Sequence, residues 1–278
     1  MKETHIIAEM AWGHDGSLTQ AIELMRAAKN SGANSFSIHL TDLPNYMVNY
    51  YGSGKGKVSE GREDLDVYKY LEDINISCEE WQEFAMAAKE IDMDLCIMPN
   101  DIQSLEFSER EINPKYYVVS PACFAEEGML EAIAKKKKKT FFRIGGSYLA
   151  EIESAIGIFR KFNNEQIVLL HGFQNYPTKI EETDLSLLRS LRNIFDVEVG
   201  LADHIDGGSP LAKIIPILSL PYGATYIEKH ITLDRNKKSE DFESALNPID
   251  FKEFVDNVRA SEIAIGSASF KELSEATK

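Results

Sequence analysis

Residues 140–233 determine the predicted architecture, because short apolar runs alternate there with segments of helical pattern. The runs read TFFRIGG (140–146), QIVLLHG (166–172), EVGLADH (198–204) and YIEKHITL (226–233). Such nearly continuous apolar runs are typical of parallel strands buried on both faces. The segments after them predict helices over residues 149–162, 183–195, 209–220 and 248–265. This part of the chain therefore predicts four consecutive β–α units.

The first half of the chain continues the alternation. Its apolar runs predict strands over residues 4–11, 35–40, 94–100 and 116–120, with helices over 17–31, 77–91, 102–109 and 126–139. Ser17 and Ser77 are placed to cap two of these helices, and Glu80 completes a capping box with Ser77. Eight β–α units without a Gly/Ser-rich linker predict a single α/β domain over residues 1–278, folded as a (β/α)8 (TIM) barrel.

The charge composition limits the expected partners. The 278 residues include 45 acidic and 30 basic side chains, a formal net charge of −15. This field repels nucleic acids and anionic membranes, so we expect neither as a partner. No run approaches the ~18 apolar residues of a membrane span, and no signal-peptide pattern is seen, so we expect a cytoplasmic protein. The cysteines Cys78, Cys96 and Cys123 lie far apart and are predicted to be reduced and buried.

Ionisable residues occupy the predicted C-terminal strand ends, where barrel enzymes carry their active sites. Consecutive strands deliver His204 and His230, with Glu228 two residues before the second histidine. Two neutral imidazoles suit a late first-row divalent metal, and a nearby carboxylate would orient them. A lone histidine at such a place is usually structural, but several at one rim favour chemistry. The strand-end candidates are Glu9, His39, Asn100, Ser120, Arg143, His171, Asp203, His204, Glu228 and His230.

Three further segments have alternative interpretations. The Gly-rich segment 51–57 (YGSGKGK) could cradle a phosphate, but it lacks P-loop spacing, so a surface loop is favoured. The lysine run 135–139 is interpreted as the solvated last turn of a helix, not as a nucleic-acid patch. Segment 233–241, after the last strand, is equally well interpreted as a solvated loop or as a sugar-binding loop above the predicted metal.

Four parts of the sequence carry a family resemblance. They read IAE (7–9) followed by GHDGS (13–17), LLHGFQNYPT (169–178), VGLADH (199–204) and IEKHITLDR (227–235). Together they resemble the barrel domain of the sialic acid (N-acetylneuraminate) synthase family, which also makes legionaminic and pseudaminic acids. The resemblance implies condensation of phosphoenolpyruvate with an open-chain N-acetylhexosamine to give a nine-carbon 2-keto acid and phosphate. It also implies a divalent metal as Lewis acid, commonly Mn²⁺, with Co²⁺, Mg²⁺ and Zn²⁺ as alternatives.

The resemblance also implies roles for individual residues. His204 and His230 match the metal ligands. Glu9 and Glu228 match carboxylates beside the metal and the acceptor, and with His230 they are the predicted catalytic residues. The predicted substrate contacts are Ser120, Arg143, Asn175, Tyr176 and Asp241, of which Asp241 matches the residue that binds sugar hydroxyls.

The sequence departs from the family at positions that, by the resemblance, hold the phosphate and carboxylate of phosphoenolpyruvate. The family has two lysines here, and losing both should cost several kcal/mol at ~1.5–3 kcal/mol per charged hydrogen bond. Arg143 is expected to return one charge and to contact the anionic co-substrate, and Lys55 or Lys57 another. The substituted positions are Ser37, His39, Met98, Tyr117 and Arg143.

The leading interpretation is a metal-dependent, carbon–carbon bond-forming transferase of the N-acetylneuraminate synthase type. Its partners would be a small-molecule sugar and an anionic co-substrate. Two alternatives stay open: a metal-dependent sugar aldolase or isomerase that does not use phosphoenolpyruvate, and a catalytically silent barrel that binds a glycan precursor. The family's C-terminal antifreeze-like domain does not follow the barrel in this sequence, so a homodimer is expected to use another surface, such as residues 41–73.

Overall fold

The eight predicted strands form one closed parallel barrel in sequence order, in a computed structural model that describes residues 3–49, 66–173 and 175–266. β8 pairs with β1 to close it, and the register places Glu9 opposite His230. The predicted (β/α)8 fold is therefore confirmed. The strands are β1 (His5–Glu9), β2 (Ser35–Leu40), β3 (Asp94–Pro99), β4 (Tyr116–Val119), β5 (Lys139–Arg143), β6 (Ile167–His171), β7 (Glu198–Asp203) and β8 (Ala224–His230).

Helices between the strands form the outer layer. Ser17 accepts a hydrogen bond from the Gln20 amide, and Ser77 and Glu80 form the predicted capping box, so both predicted caps are present. A π-helical turn, Ser108–Ile112, continues the fifth helix. The α-helices are α1 (Leu18–Asn30), α2 (Leu43–Tyr46), α3 (Val67–Ile74), α4 (Cys78–Glu90), α5 (Ile102–Phe107), α6 (Glu127–Lys135), α7 (Leu149–Lys161), α8 (Leu187–Phe195) and α9 (Pro248–Ile265).

The connection between β7 and β8 differs from the predicted helix. Two 3₁₀ segments, Pro210–Lys213 and Ile215–Tyr222, replace an α-helix over residues 209–220. Pro216 and Pro221 lack a backbone N–H and cannot complete an α-helical hydrogen-bond ladder. The apolar period alone did not reveal this interruption.

The lysine run is a junction between a helix and a strand. α6 ends at Lys135, Lys137 has a left-handed φ of 59°, and Lys139 already belongs to β5. The prediction that the whole run forms a helical turn is therefore wrong, because a left-handed residue ends the helix.

The long polar stretch 41–73 contains two short helices, α2 and α3, that the sequence pattern did not predict. Residues 50–65, which include the Gly-rich segment with Lys55 and Lys57, lie outside the described residues.

Side-chain alternation along the strands separates the barrel interior from the helix-facing layer. Cys96, Met98 and Phe141 pack with other interior residues, whereas Tyr117 packs in the outer cluster. The Tyr117 hydroxyl donates to Glu109 at 2.7 Å and lies 3.2 Å from the Ser108 hydroxyl. Tyr117 was expected at the co-substrate site, and that prediction is wrong because its strand register turns it toward the helices.

Asp203 and Lys229 form a buried ion pair on the outer face of neighbouring strands β7 and β8. The Lys229 ammonium also lies 3.4 Å from the Ile205 carbonyl. A buried ammonium is tolerated only when such partners replace its water. Asp203 was a strand-end candidate for chemistry, and the structure gives it this structural partner instead.

Two properties predicted from composition have different outcomes. Cys96 and Cys123 are buried free thiols, but Cys78 is exposed at the start of α4, so its predicted burial is wrong. Among the described residues, no helix has the length and apolar character needed to cross a bilayer.

Replacing Lys229 by Met should leave Asp203 buried without its cation and lower the free energy of unfolding by ~3–5 kcal/mol. Urea denaturation followed by circular dichroism measures this. The double variant Asp203→Leu/Lys229→Met should recover most of the loss. The control is Lys252→Met, which breaks an exposed pair with Asp256 and should cost less than ~0.5 kcal/mol. Equal losses in the two single variants would contradict the role of the buried pair.

Candidate active site

Two histidines meet at the C-terminal mouth of the barrel. His204 follows the last residue of β7 and His230 ends β8, and their ring centroids are 5.2 Å apart. Both side chains are buried. The predicted convergence of His204 and His230 is thus seen in the geometry.

Glu9, fully buried at the end of β1, connects side chains from three other strands. Its Oε2 lies 3.2 Å from His230 Nδ1, and its Oε1 lies 3.2 Å from His39 Nε2 and 3.3 Å from Arg143 Nη2. Because a carboxylate only accepts, this contact favours the His230 tautomer that carries its proton on Nδ1 and keeps a lone pair on Nε2. The Nε2 atom has no hydrogen-bond partner among the described residues.

Arg143 crosses the barrel from β5 to bind Glu228 on β8. Nη2 donates a hydrogen bond to Oε2 at 2.9 Å, and Nε lies 2.9 Å from Oε1 as an ion-pair contact. The third nitrogen, Nη1, lies 3.4 Å from His39 Nε2 and 3.7 Å from the sulfur of Met98. Arg143 therefore holds two carboxylates, Glu9 and Glu228, in this structure.

Tyr176 covers the histidine pair from the loop after β6. Its ring centroid is 4.6 Å from that of His204 and 5.9 Å from that of His230. Neither ring nitrogen of His204 has a hydrogen-bond partner within the described chain. The His204 backbone is fixed, because its carbonyl accepts from the Thr178 amide at 2.8 Å and the Ser244 hydroxyl at 3.1 Å.

Burial keeps both histidines neutral. Desolvation lowers the pKa of His204 well below its usual value, with nearby His230 and Arg143 adding to the effect and the Phe173 backbone opposing it. Desolvation lowers the pKa of His230 to about 4, although Glu9 works in the opposite direction. Neutral imidazoles are the form that binds metals.

The acidic groups of the site divide into two kinds. Burial alone would raise the pKa of Glu9, but His230, His39 and Arg143 hold it well below its usual value. Burial raises the pKa of Glu228 despite Arg143, with the charge of Glu9 contributing. Burial and nearby Glu240 raise the pKa of Asp241 well above its usual value. Glu9 is therefore the firmly ionised carboxylate, whereas Glu228 and Asp241 retain protons more readily.

The residues fit a cation held by two protein ligands. His204 and His230 present buried nitrogens without partners, which is the donor type that late first-row divalent metals prefer. No group of three or more His, Cys, Asp or Glu side chains arranged to hold a metal occurs in the described ranges. Two histidines would thus leave the remaining coordination positions to water or substrate.

Other predicted site residues are placed less directly. Asp241 acts electrostatically on Tyr176, so it lies in the same region. The Ser120 hydroxyl accepts from the Ala122 amide at 3.4 Å and caps a 3₁₀ turn. Asn175 is half-buried beside Tyr176, and its carbonyl accepts from the Thr178 hydroxyl at 3.0 Å. Within the described chain, no hydrogen bond joins the Ser120 or Asn175 side chain to His204 or His230.

The structure gives two other strand-end histidines, His171 and His39, different surroundings. His171 Nε2 lies 2.9 Å from the Thr183 carbonyl, a structural contact away from the cluster. His39, which was not among the predicted catalytic or ligand residues, contacts both Glu9 and Arg143. Its position at the end of β2 was the available signal, but position alone does not separate it from His171.

Replacing Arg143 by Met should leave Glu9 and Glu228 buried without a cation and lower the free energy of unfolding by ~3–5 kcal/mol at pH 8. The loss should be smaller at pH 5. Unpaired buried carboxylates have a folded pKa above the unfolded value, so the folded state binds protons as the pH falls and regains stability. Chemical denaturation at both pH values tests this, with the exposed Arg160→Met as control. A pH-independent loss would contradict the assignment.

Comparison with known proteins gives relatives for the whole barrel. A pseudaminic acid synthase of Campylobacter jejuni is 31% identical over 269 residues, which are 95% of this chain and 76% of the relative. An uncharacterized protein of Methanocaldococcus jannaschii is 30% identical over 267 residues, 95% of this chain and 72% of that one. The crystal structure of an N-acetylneuraminic acid (sialic acid) synthetase from Leptospira borgpetersenii has a TM-score of 0.84 at 22% identity, covering 98% of this chain and 88% of its own, and shows the same fold.

The NeuB family matches residues 24–270 of the sequence. The predicted family resemblance and the predicted enzyme class, a carbon–carbon bond-forming synthase, are therefore confirmed. This chain belongs to the NeuB family.

Proposed function

We propose that this chain condenses a sugar aldehyde with an anionic three-carbon donor, phosphoenolpyruvate or a related 2-keto or enol acid, to form a sialic-acid-like nonulosonate. The observation that carries the proposal is the pair of buried imidazoles at the mouth of the barrel: both ring nitrogens of His204 and Nε2 of His230 have no hydrogen-bond partner among the described residues. The relative that is named a pseudaminic acid synthase supports the product class. The acceptor would be an N-acylated hexosamine.

The proposed reaction depends on a divalent metal. His204 and His230 Nε2 would hold it, with Mn²⁺ as the first choice and Co²⁺, Mg²⁺ or Zn²⁺ as alternatives. The bound metal supplies a Lewis acid that polarises the aldehyde oxygen of the acceptor.

Side chains of the protein would orient the metal ligand and transfer protons. Glu9 Oε2 lies 3.2 Å from His230 Nδ1, which turns Nε2 toward the site and makes Glu9 an orienting carboxylate. Glu228, with its raised pKa, is the carboxyl that could hold a proton near the acceptor. Burial also raises the pKa of Asp241, which could therefore donate to a sugar hydroxyl, and Tyr176 shields the histidine pair from water.

One observation favours a second candidate, a metal-dependent sugar aldolase or isomerase that does not use phosphoenolpyruvate. Arg143, the expected contact of the anionic co-substrate, is already bound by Glu9 and Glu228. The two candidates share the metal and differ in the donor. Ser120 and Asn175 as substrate contacts, a cytoplasmic location and a homodimer stay predictions.

Metal binding is the first test. Calorimetry with MnCl₂ should show one site per chain in the wild type and at least a tenfold loss of affinity in His204→Ala and His230→Ala. His171→Ala, another buried strand-end histidine, is the matched control and should bind normally. Because the pKa of His230 is lowered to about 4, its imidazole stays neutral, and affinity should hold from pH 8 to about pH 5.5. Unchanged affinity in both alanine variants would remove the proposed metal site.

The reaction itself is tested with N-acetylmannosamine, MnCl₂ and either phosphoenolpyruvate or pyruvate, with product detection by mass spectrometry. A carbon–carbon coupled keto acid is expected from one donor, and chelation with EDTA should abolish it. Glu228→Gln should lower the rate by about 10²–10⁴-fold, as expected for loss of a positioned acid–base group. Absence of product over a panel of acylated hexosamines would refute the proposed condensation.

A further inference from the structure

Arg235, in the 3₁₀ turn after β8, binds the main chain of the loop that follows it. Its Nη1 donates to the carbonyls of Phe242 and Ala245, both at 2.6 Å, and to that of Glu243 at 3.1 Å. Nη1 carries two hydrogens, so the three carbonyls share them. Oxygens with partial negative charge repel one another when they converge, unless a cation lies between them. The Arg235 guanidinium therefore holds segment 242–245 in this fold.

The same guanidinium joins the loop after β7 to the loop after β8. Nη2 donates to Asp206 Oδ1 at 3.2 Å, and the Gly207 amide donates to the Glu243 carbonyl at 2.8 Å. A Cβ atom on Gly207 would lie 2.0 Å from the Ala245 oxygen and 2.3 Å from Arg235 Nη1, far inside van der Waals contact. Only glycine therefore lets the two loops approach this closely, and they pack around one arginine that is 19% exposed.

The segment that Arg235 holds is bonded to the backbone of both site histidines. The Ser244 hydroxyl donates to the His204 carbonyl at 3.1 Å, and the Leu246 amide donates to the His230 carbonyl at 3.0 Å. Asp241, with a left-handed φ of 59°, lies just before this segment, and its carbonyl accepts from the Ser244 amide at 3.2 Å. The position of this segment thus affects the histidine pair and the predicted sugar-binding carboxyl together.

We propose that Arg235 is a positioning residue of the acceptor site, which holds segment 242–245 so that Asp241 and the His204 backbone stay where the sugar binds. This rests on the condensation proposed above and concerns its acceptor half. Within the described chain, the guanidinium donates to main-chain carbonyls and to Asp206. Arg235 therefore acts on the sugar through the residues that it holds, not through a bond of its own.

Geometry, and not charge alone, suits arginine to this position. A guanidinium can donate from Nη1 to the loop after β8 and from Nη2 to the loop after β7, whereas a lysine ammonium donates from a single atom. Arg235→Lys keeps the charge and loses the second point of attachment. We expect this variant to loosen segment 242–245 as Arg235→Met does, although to a smaller extent.

Hydrogen–deuterium exchange of the full chain tests whether Arg235 holds the loop. In Arg235→Met, the amides of segment 242–246 should exchange about tenfold faster, because local opening no longer breaks charged hydrogen bonds. Arg259→Met is the matched control, since this arginine is 27% exposed and donates to the Thr4 carbonyl at 2.8 Å at the opposite end of the barrel. It should leave segment 242–246 unchanged. Equal exchange in Arg235→Met and the wild type would overturn the proposal.

Gly207→Ala tests the same packing without removing a charge. Its Cβ should displace the Ala245 carbonyl and the Arg235 guanidinium, so exchange in segment 242–246 should rise as it does in Arg235→Met. Gly208→Ala is the control, because its Cβ would meet nothing closer than Arg235 Nη2 at 3.1 Å. Similar exchange in the two alanine variants would show that the close packing around Arg235 does not order the loop, and the proposal would fail.

Binding of N-acetylmannosamine to the full chain with MnCl₂, measured by calorimetry, tests the link to the acceptor. Arg235→Met and Arg235→Lys should weaken binding by about tenfold or more, as expected when a binding group is misplaced. Arg259→Met should bind the sugar as the wild type does. In turnover assays, the KM for the sugar should rise in the Arg235 variants with little change in kcat.

The outcomes separate this proposal from the condensation itself. Unchanged sugar binding in Arg235→Met, or an equal loss in Arg259→Met, would overturn the positioning role and leave the condensation standing. A wild type that binds the sugar but couples it to no donor would remove the condensation, and weaker binding in Arg235→Met would still support the positioning role. A wild type that binds no sugar would remove both.

Discussion

The register in which β1 closes the barrel against β8 is the constraint on which the site depends. It places Glu9 opposite His230, and the carboxylate then has partners from β2, β5 and β8 within 3.3 Å. A carboxylate this deeply buried would cost several kcal/mol without such partners. One acidic side chain therefore ties four strands together at the mouth and fixes the ring orientation of His230.

The charged groups around this carboxylate are paired with one another. Arg143 is the cation that Glu9 and Glu228 share, and burial keeps His204 and His230 neutral. Buried groups with fixed partners need little reorganisation during a reaction, which is the main way in which proteins stabilise developing charge. This pairing also limits which ligands can enter the site, because Arg143 already holds two carboxylates and has little capacity for a third anion.

The fold and the convergence of the strand-end side chains could be predicted from the sequence, because both depend on the short spacing of apolar residues along the chain. Continuous apolar runs separated by helices fix the barrel, and strand ends fix where Glu9, His204, Glu228 and His230 lie. The predictions that failed concern features that the spacing of apolar residues does not determine. Tyr117 lies on the other face because one residue of register turns a side chain from the interior to the helices.

Arg143 shows a different limit. Its position was predicted, but its partners were not, because a long flexible side chain can reach several places and the sequence does not say which. His39 was a strand-end candidate without a predicted catalytic or ligand role, because a single histidine at a strand end resembles His171, which is structural. The ends of α6 and the 3₁₀ segments after β7 were set by one left-handed lysine and by prolines within an apolar run.

The carbonyl of His204 accepts hydrogen bonds from two loops at once, through Thr178 after β6 and Ser244 after β8. A change of length in either loop would therefore shift the backbone that carries His204. These two loops are poor places for evolution or engineering to insert new segments. A connection that does not bond to this carbonyl, such as the one after β4, can vary in length while the histidine pair stays in place, so new substrate preferences in this scaffold should arise there.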